Sequence, residues 1–191
     1  MNNSAKFMGM LVAAVGAVAT GNMPSAYADL PCDAPVVTPA ALAGAEDRIQ
    51  RLEDIKQIEE LKAQYGNALD NVVKDSSKID ALLNLFTDDI CVDYGPFGRF
   101  RGKTEIKTLF QLTVPTITAW NFHVASAPII KVNGTNASGT WQVIANAVYK
   151  FDYAGGVQSA FARYQDAYSK TASGWKFRTI IVLFETPPTG P

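Results

Sequence analysis

Histidine occurs once in this chain of 191 residues, at His123, and cysteine occurs twice, at Cys32 and Cys91. That scarcity argues against a zinc centre, which draws its three or four ligands mainly from those residue types, and no metal ligand is assigned. Charge is scarce as well. Lys and Arg total 17 against 18 Asp and Glu, a formal net charge of -1, so no basic excess exists to neutralise phosphates and nucleic acid is excluded as a partner. The same balance leaves no acidic solvating tail. No phosphate-cradling glycine loop or nucleophilic-cysteine motif occurs, which points to chemistry without a cofactor. No internal repeat or low-complexity tract interrupts the chain. What remains is ordinary globular composition, 48% hydrophobic and 18% charged, of a length that suits one domain.

The N-terminus reads as a targeting segment. Lys6 precedes the apolar run Phe7–Ala19, and Ala26-Tyr27-Ala28 is a small-x-small cleavage site. The run is shorter than the roughly 20 residues that span a bilayer. A signal peptide over 1–28 is expected, cleaved after Ala28, giving a periplasmic or secreted protein with no membrane association once processed. Cys32 follows Leu30-Pro31 and so is not a lipid-attachment site. In an oxidising compartment Cys32 and Cys91 can pair; a free, buried Cys91 with a loose Cys32 is the other reading.

Residues 29–44 form a Pro- and Ala-rich linker, with Pro31, Pro35 and Pro39. Beyond it Ile49, Leu52, Ile55, Ile58, Leu61, Tyr65, Ala68 and Val72 recur every three or four residues, which predicts an amphipathic helix to about residue 73. Its charged first half reads as a solvated face or as an oligomer contact. Ser76-Ser77 offer an N-cap to a second helix over "KIDALLNLF". "ICVDY" (90–94) reads as a strand, "PFGR" as a turn and "KTEIKTLFQL" as a third helix. Strands are predicted at roughly 120–132, 138–153, 158–170 and 175–186, divided by Asn133-Gly134, Gly155-Gly156 and Ser173-Gly174. Helices followed by long strands on tight turns make an α+β fold: three helices on a strongly curved, mainly antiparallel sheet over 45–186, with a tail at 187–191. Helices on one face of such a sheet close a cone, and its interior is the default binding site.

His123 is the one side chain whose ordinary pKa falls near 6.5, yet "FHVAS" holds no charge, and a lone histidine on an apolar strand is commonly a hydrogen-bonded core residue. Asp70 stands near the end of the first helix, where the helix dipole disfavours a carboxylate. Either it is solvated or a partner favours it. Tyr65 lies five residues earlier, about 140° around the helix and roughly 7.5 Å along it, so both can border one cavity, and Gly66 leaves room beside the carboxylate. Asp93 and Tyr94 point to opposite faces of a strand; Tyr94 is either an ordinary strand tyrosine or a phenol aimed into the pocket.

A long helix ending "KAQYGNALD", the segment "LFTDDICVDYGPFGRFRG", a single "HV" strand and a closing "FARYQDAYSKTASGWKF" together resemble SnoaL-like proteins of the cone-shaped nuclear-transport-factor-2-like superfamily, over most of residues 45–186. Within it the chain is similar to scytalone dehydratase, bile-acid dehydratase and hexachlorocyclohexane dehydrochlorinase. The resemblance implies a cofactor-free lyase with an Asp70–His123 dyad, assisted by Tyr65 and Tyr94. Two departures stand out. The second histidine of scytalone dehydratase has no counterpart, since the matching strand carries Asn146 and Ala147. The arginine on the last strand of bile-acid dehydratase falls near Phe184, and neither Arg163 nor Arg178 fills its slot.

In that scheme Asp70 accepts the Nδ1 proton of His123, and the bare Nε2 takes a proton from a C–H or O–H. Tyr65 and Tyr94 steady the developing oxyanion or the departing group. Trp120, Phe122, Trp141, Asn146, Arg163 and Phe184 form the expected substrate-binding set. The expected ligand is a small hydrophobic, hydroxylated molecule, aromatic or polycyclic, that loses water or a small aldehyde. The alternatives are an isomerase or cyclase on the same dyad, an exported binding module for a hydrophobic ligand, or a structural subunit. A homo-oligomer, dimer or trimer, is expected through the first helix.

Overall fold

The computed structural model describes residues 32–33, 36–41 and 44–185. The expected signal segment, its cleavage site and the tail at 187–191 lie outside these residues. Helix α1 spans Ala45–Lys74. Its first turns stand clear of the body, with Ile49 and Leu52 exposed, and burial sets in at Asp54 and Ile58 and continues through Leu61, Tyr65, Leu69 and Val72. The next cap is Asp75 rather than the serines: its carboxylate accepts from the Ser77 amide at 3.0 Å and the Ser77 hydroxyl at 2.7 Å. A 3-10 turn, Ser76–Lys78, leads into the short helix α2, Ile79–Leu83.

Strand β1 covers Phe86–Asp93 and begins four residues before the position that the sequence suggests. The reason is tertiary. Phe86 pairs in register with Phe177, their rings pack edge-on at 6.1 Å, and the Phe177 amide donates to the Leu85 carbonyl. Those contacts draw the end of "KIDALLNLF" out of its helix. A 3-10 turn (Gly95–Phe97) and the three-residue strand β2 (Arg99–Arg101) follow. The third helical segment is α3 (Gly102–Thr108), a π turn (Leu109–Thr113) and α4 (Val114–Ile117).

The remaining strands are β3 (Thr118–Asn133), β4 (Asn136–Tyr149), β5 (Gln158–Thr171) and β6 (Gly174–Glu185). β4 stops short of residue 153 because Lys150–Gly155 turn as 3-10 helix. The sheet order is β2-β1-β6-β5-β4-β3, antiparallel except for the parallel β1–β6 pair. Long strands of 12 to 16 residues bend where their register breaks, between Ser126 and Ile129 against β4 and at Ala167/Tyr168 against β6. Ala127 adopts a φ of 49° in the first break. The result is the cone that the pattern predicts, with α1 against its inner face.

Trp141, Tyr164, Tyr168, Phe177 and Ile180 fill the interior. The outer face is also apolar in part: Val124, Ile144 and Phe161 adjoin in register and are exposed, as are Trp120, Phe122 and Leu183. Cys32 and Cys91 are disulfide-bonded, with Cα atoms 5.7 Å apart, inside the usual 4.4–6.8 Å range. The linker is therefore tied to β1, and its Thr38 carbonyl accepts from Asn133 Nδ2 at 3.0 Å.

Candidate active site

The helix-end carboxylate has the partner that its position demands. Asp70 is 7% exposed. Its Oδ1 lies 2.7 Å from His123 Nδ1, and its Oδ2 accepts the His123 backbone N–H at 3.2 Å. One carboxylate thus grips both the ring and the main chain of the same residue. The contact is made across the seam between α1 and β3, where α1 runs close: a Cβ on Gly66 would lie 3.8 Å from the His123 carbonyl oxygen. Because a carboxylate only accepts, the ring donates from Nδ1 to Asp70 Oδ1, and Nε2 is the ring nitrogen outside this contact.

A cavity of about 250 Å³ opens beside this pair. Lys62, Tyr65 and Gly66 of α1, His123 of β3, Trp141 of β4 and Tyr164 of β5 contribute to its wall. A void of ~150 Å³ accommodates benzene, so this one suits a molecule of one or two rings.

Tyr65 is 2% exposed, and its hydroxyl lies 2.9 Å from that of Tyr94. Tyr94 does not line the cavity. It stands behind Tyr65, packed on Phe100 and Phe110, and acts on the site through that hydroxyl. Asp93 faces away, as strand alternation requires, and binds Arg99 at 2.9 Å. Burial pushes the phenol pKa values of Tyr65, Tyr94 and Tyr164 well up, so all three stay protonated as hydrogen-bond donors.

The expected binding residues divide. Trp141 lines the cavity. Trp120 and Phe122 do not: side chains alternate along β3, and with His123 facing α1 its neighbours face outward, the two rings stacked at 6.4 Å with 37% and 50% exposure. Asn146 pairs with Phe122 in register and accepts from the Ser159 hydroxyl at 2.7 Å. Arg163 is also on the outer face, bound to Glu185 at 2.6 Å. Phe184 packs on Phe97 at 5.5 Å, away from the cavity wall.

Sequence reasoning missed Tyr164, Lys62 and Asp166. Lys62 Nζ donates to Asp166 Oδ2 at 2.7 Å with both side chains buried. A signal was available in "FARYQDAYSK", where Ala162, Tyr164, Asp166 and Tyr168 alternate onto one face. An aspartate among inward tyrosines requires a buried cation.

A family model described as "SnoaL-like domain" matches residues 50–180. Curated proteins yield no match. Solved structures do. A candidate aromatic ring hydroxylase from Novosphingobium aromaticivorans is 25% identical with a TM-score of 0.60, the match covering 71% of this chain and 92% of that one. A candidate scytalone dehydratase from the same organism is 22% identical with a TM-score of 0.64, covering 73% and 89%. Hexachlorocyclohexane dehydrochlorinase LinA-type3 from Novosphingobium barchaimii is 18% identical with a TM-score of 0.62, covering 75% and 96%.

Proposed function

Since this chain belongs to the SnoaL-like domain family, within the nuclear-transport-factor-2-like superfamily, we propose that it is a cofactor-free lyase in which His123 removes a proton and a hydroxyl group leaves as water. The observation that carries this reading is the grip of Asp70 on His123, 2.7 Å to Nδ1 and 3.2 Å from the backbone N–H. A histidine that served only to fill the core would need one hydrogen bond. This one is held by a buried carboxylate at two points, and it borders a cavity.

The steps follow from the roles. Nε2 accepts a proton from a carbon or hydroxyl of the ligand, and the Asp70 charge stabilises the imidazolium so formed. Tyr65 and Tyr164, protonated at all physiological pH, donate to the oxygen on which charge develops, with Tyr94 orienting Tyr65. The imidazolium then returns its proton to the departing hydroxyl. The apolar wall around Trp141 and Tyr164 fits an aromatic, hydroxylated substrate of one or two rings. Export to the periplasm or medium completes the proposal.

The test is a panel of hydroxylated one- and two-ring aromatic compounds, assayed by mass spectrometry for loss of water, with wild type beside His123→Ala. Turnover by wild type and its loss in the variant are expected. Full activity in the variant would defeat the proposal in favour of another base, and tight binding without turnover would favour an exported binding module.

A further inference from the structure

The proton-abstraction scheme leaves one reactive group of the cavity unused. Lys62 lies two turns before Asp70 on α1, lines the cavity, and is 2% exposed. An ammonium has three N–H donors, and the hydrogen bond found for Lys62 goes to Asp166 Oδ2 at 2.7 Å. Aromatic faces surround the rest, with ring centroids of Tyr164 at 3.9 Å, Tyr65 at 5.1 Å and Trp141 at 5.8 Å from Nζ. Asp166 is fully buried. It also accepts from Tyr168 at 2.8 Å, and its Oδ1 has no protein partner.

Burial in this apolar shell disfavours both charges. Desolvation outweighs the pull of Asp166 and lowers the Lys62 ammonium to about 8, while it raises the Asp166 carboxyl. The two shifts converge, so passing a proton from the ammonium to the carboxylate is far easier here than in water. Near neutral pH Lys62 therefore carries a larger share of free amine than an exposed lysine does.

We propose that Lys62 is a carbonyl-reactive amine: it condenses with an aldehyde or ketone held against Trp141 and Tyr164, forming an imine, with Asp166 as its proton relay. The ammonium first passes a proton to the Asp166 carboxylate. The free amine attacks the carbonyl carbon, forming the C–N bond, and a proton moves from nitrogen to the former carbonyl oxygen. Asp166 then protonates that hydroxyl, which leaves as water, and the iminium remains paired with the restored carboxylate. Lys–NH3⁺ and the carbonyl compound thus become iminium and one water, with no oxidant or reductant. A desolvated lysine beside a proton carrier is the arrangement that imine chemistry needs. Nothing in it depends on His123.

Reductive trapping tests this. Wild-type protein is treated with benzaldehyde and sodium cyanoborohydride, and benzylated lysines are located by peptide mass spectrometry. Lys62 should be labelled at least ten-fold faster than the exposed Lys56 at pH 7. Its rate should level off near pH 8 while the surface lysines still climb. Labelling of Lys62 no faster than Lys56, or a rate that climbs with pH in parallel with the surface lysines, would overturn the proposal.

Discussion

Replacing Asp70 by asparagine keeps the shape of the side chain and changes which of its ends can accept. In the wild type both oxygens accept, one from the His123 backbone N–H at 3.2 Å and one from Nδ1 at 2.7 Å. Asparagine has one oxygen and one NH2, and the backbone N–H cannot reverse its role. The oxygen must therefore face the main chain, because the opposite placement sets NH2 against N–H and leaves a buried donor unsatisfied, at a cost of about 1–3 kcal/mol. That preference amounts to roughly 5- to 150-fold in population. The NH2 then faces Nδ1 and donates to it, so the ring's proton moves to Nε2, the nitrogen that serves as base. Turnover should fall by up to about 10⁴, the loss found where a triad aspartate is replaced by asparagine and the tautomer inverts. With one histidine in the chain, the tautomer can be read directly from a long-range ¹H–¹⁵N spectrum without any substrate. Wild type should show a protonated Nδ1 and Asp70→Asn a protonated Nε2. An Nδ1–H signal retained in the variant would refute the reasoning, whatever its activity.

Tyr65→Phe should lower kcat by about 10²–10³, the usual effect of one lost oxyanion donor, whereas Tyr94→Phe removes only a support behind it and should cost about ten-fold; equal losses would place Tyr94 in contact with substrate. The Cys32–Cys91 bridge closes a loop with a sequence separation of 59, for which chain entropy gives about 4 kcal/mol at 25 °C. Cys32→Ala/Cys91→Ala should lose about 2–4 kcal/mol in urea unfolding, and a thiol titration of the oxidised wild type should find no free thiol. Lys62 is held at about 8 in the folded protein against 10.5 when free, so between these values the unfolded chain binds the extra proton and stability rises with pH. The net gain should be about 0.5–1 kcal/mol from pH 8 to 9, and toward pH 10 the buried tyrosines, with raised values, reverse the trend. In Lys62→Met that rise should vanish.

Much of the architecture is legible in one dimension because its signals are local. The three-to-four-residue recurrence from Ile49 to Val72 sets the long helix, and the turns at Asn133-Gly134 and Ser173-Gly174 set the hairpins. The pairing of Asp70 with His123, 53 residues apart in sequence, came from the family resemblance and not from local signals, which left a solvated aspartate and a core histidine open. Local signals do not say which face of a strand turns inward, and a one-residue change inverts every side chain. For that reason aromatic character alone could not tell Trp141, in the cavity wall, from Trp120 and Phe122, on the outside. Nor could it show that Phe86 leaves its helix for Phe177, or that Tyr94 reaches the site through Tyr65. The Lys62–Asp166 pair was the least legible of all. Its partners stand 104 residues apart, on elements whose own patterns read as a solvated helix face and an ordinary strand. Only the packing of α1 against β5 strips both charges of water, and that shared desolvation, set by tertiary contact, turns an ordinary lysine into a reactive one.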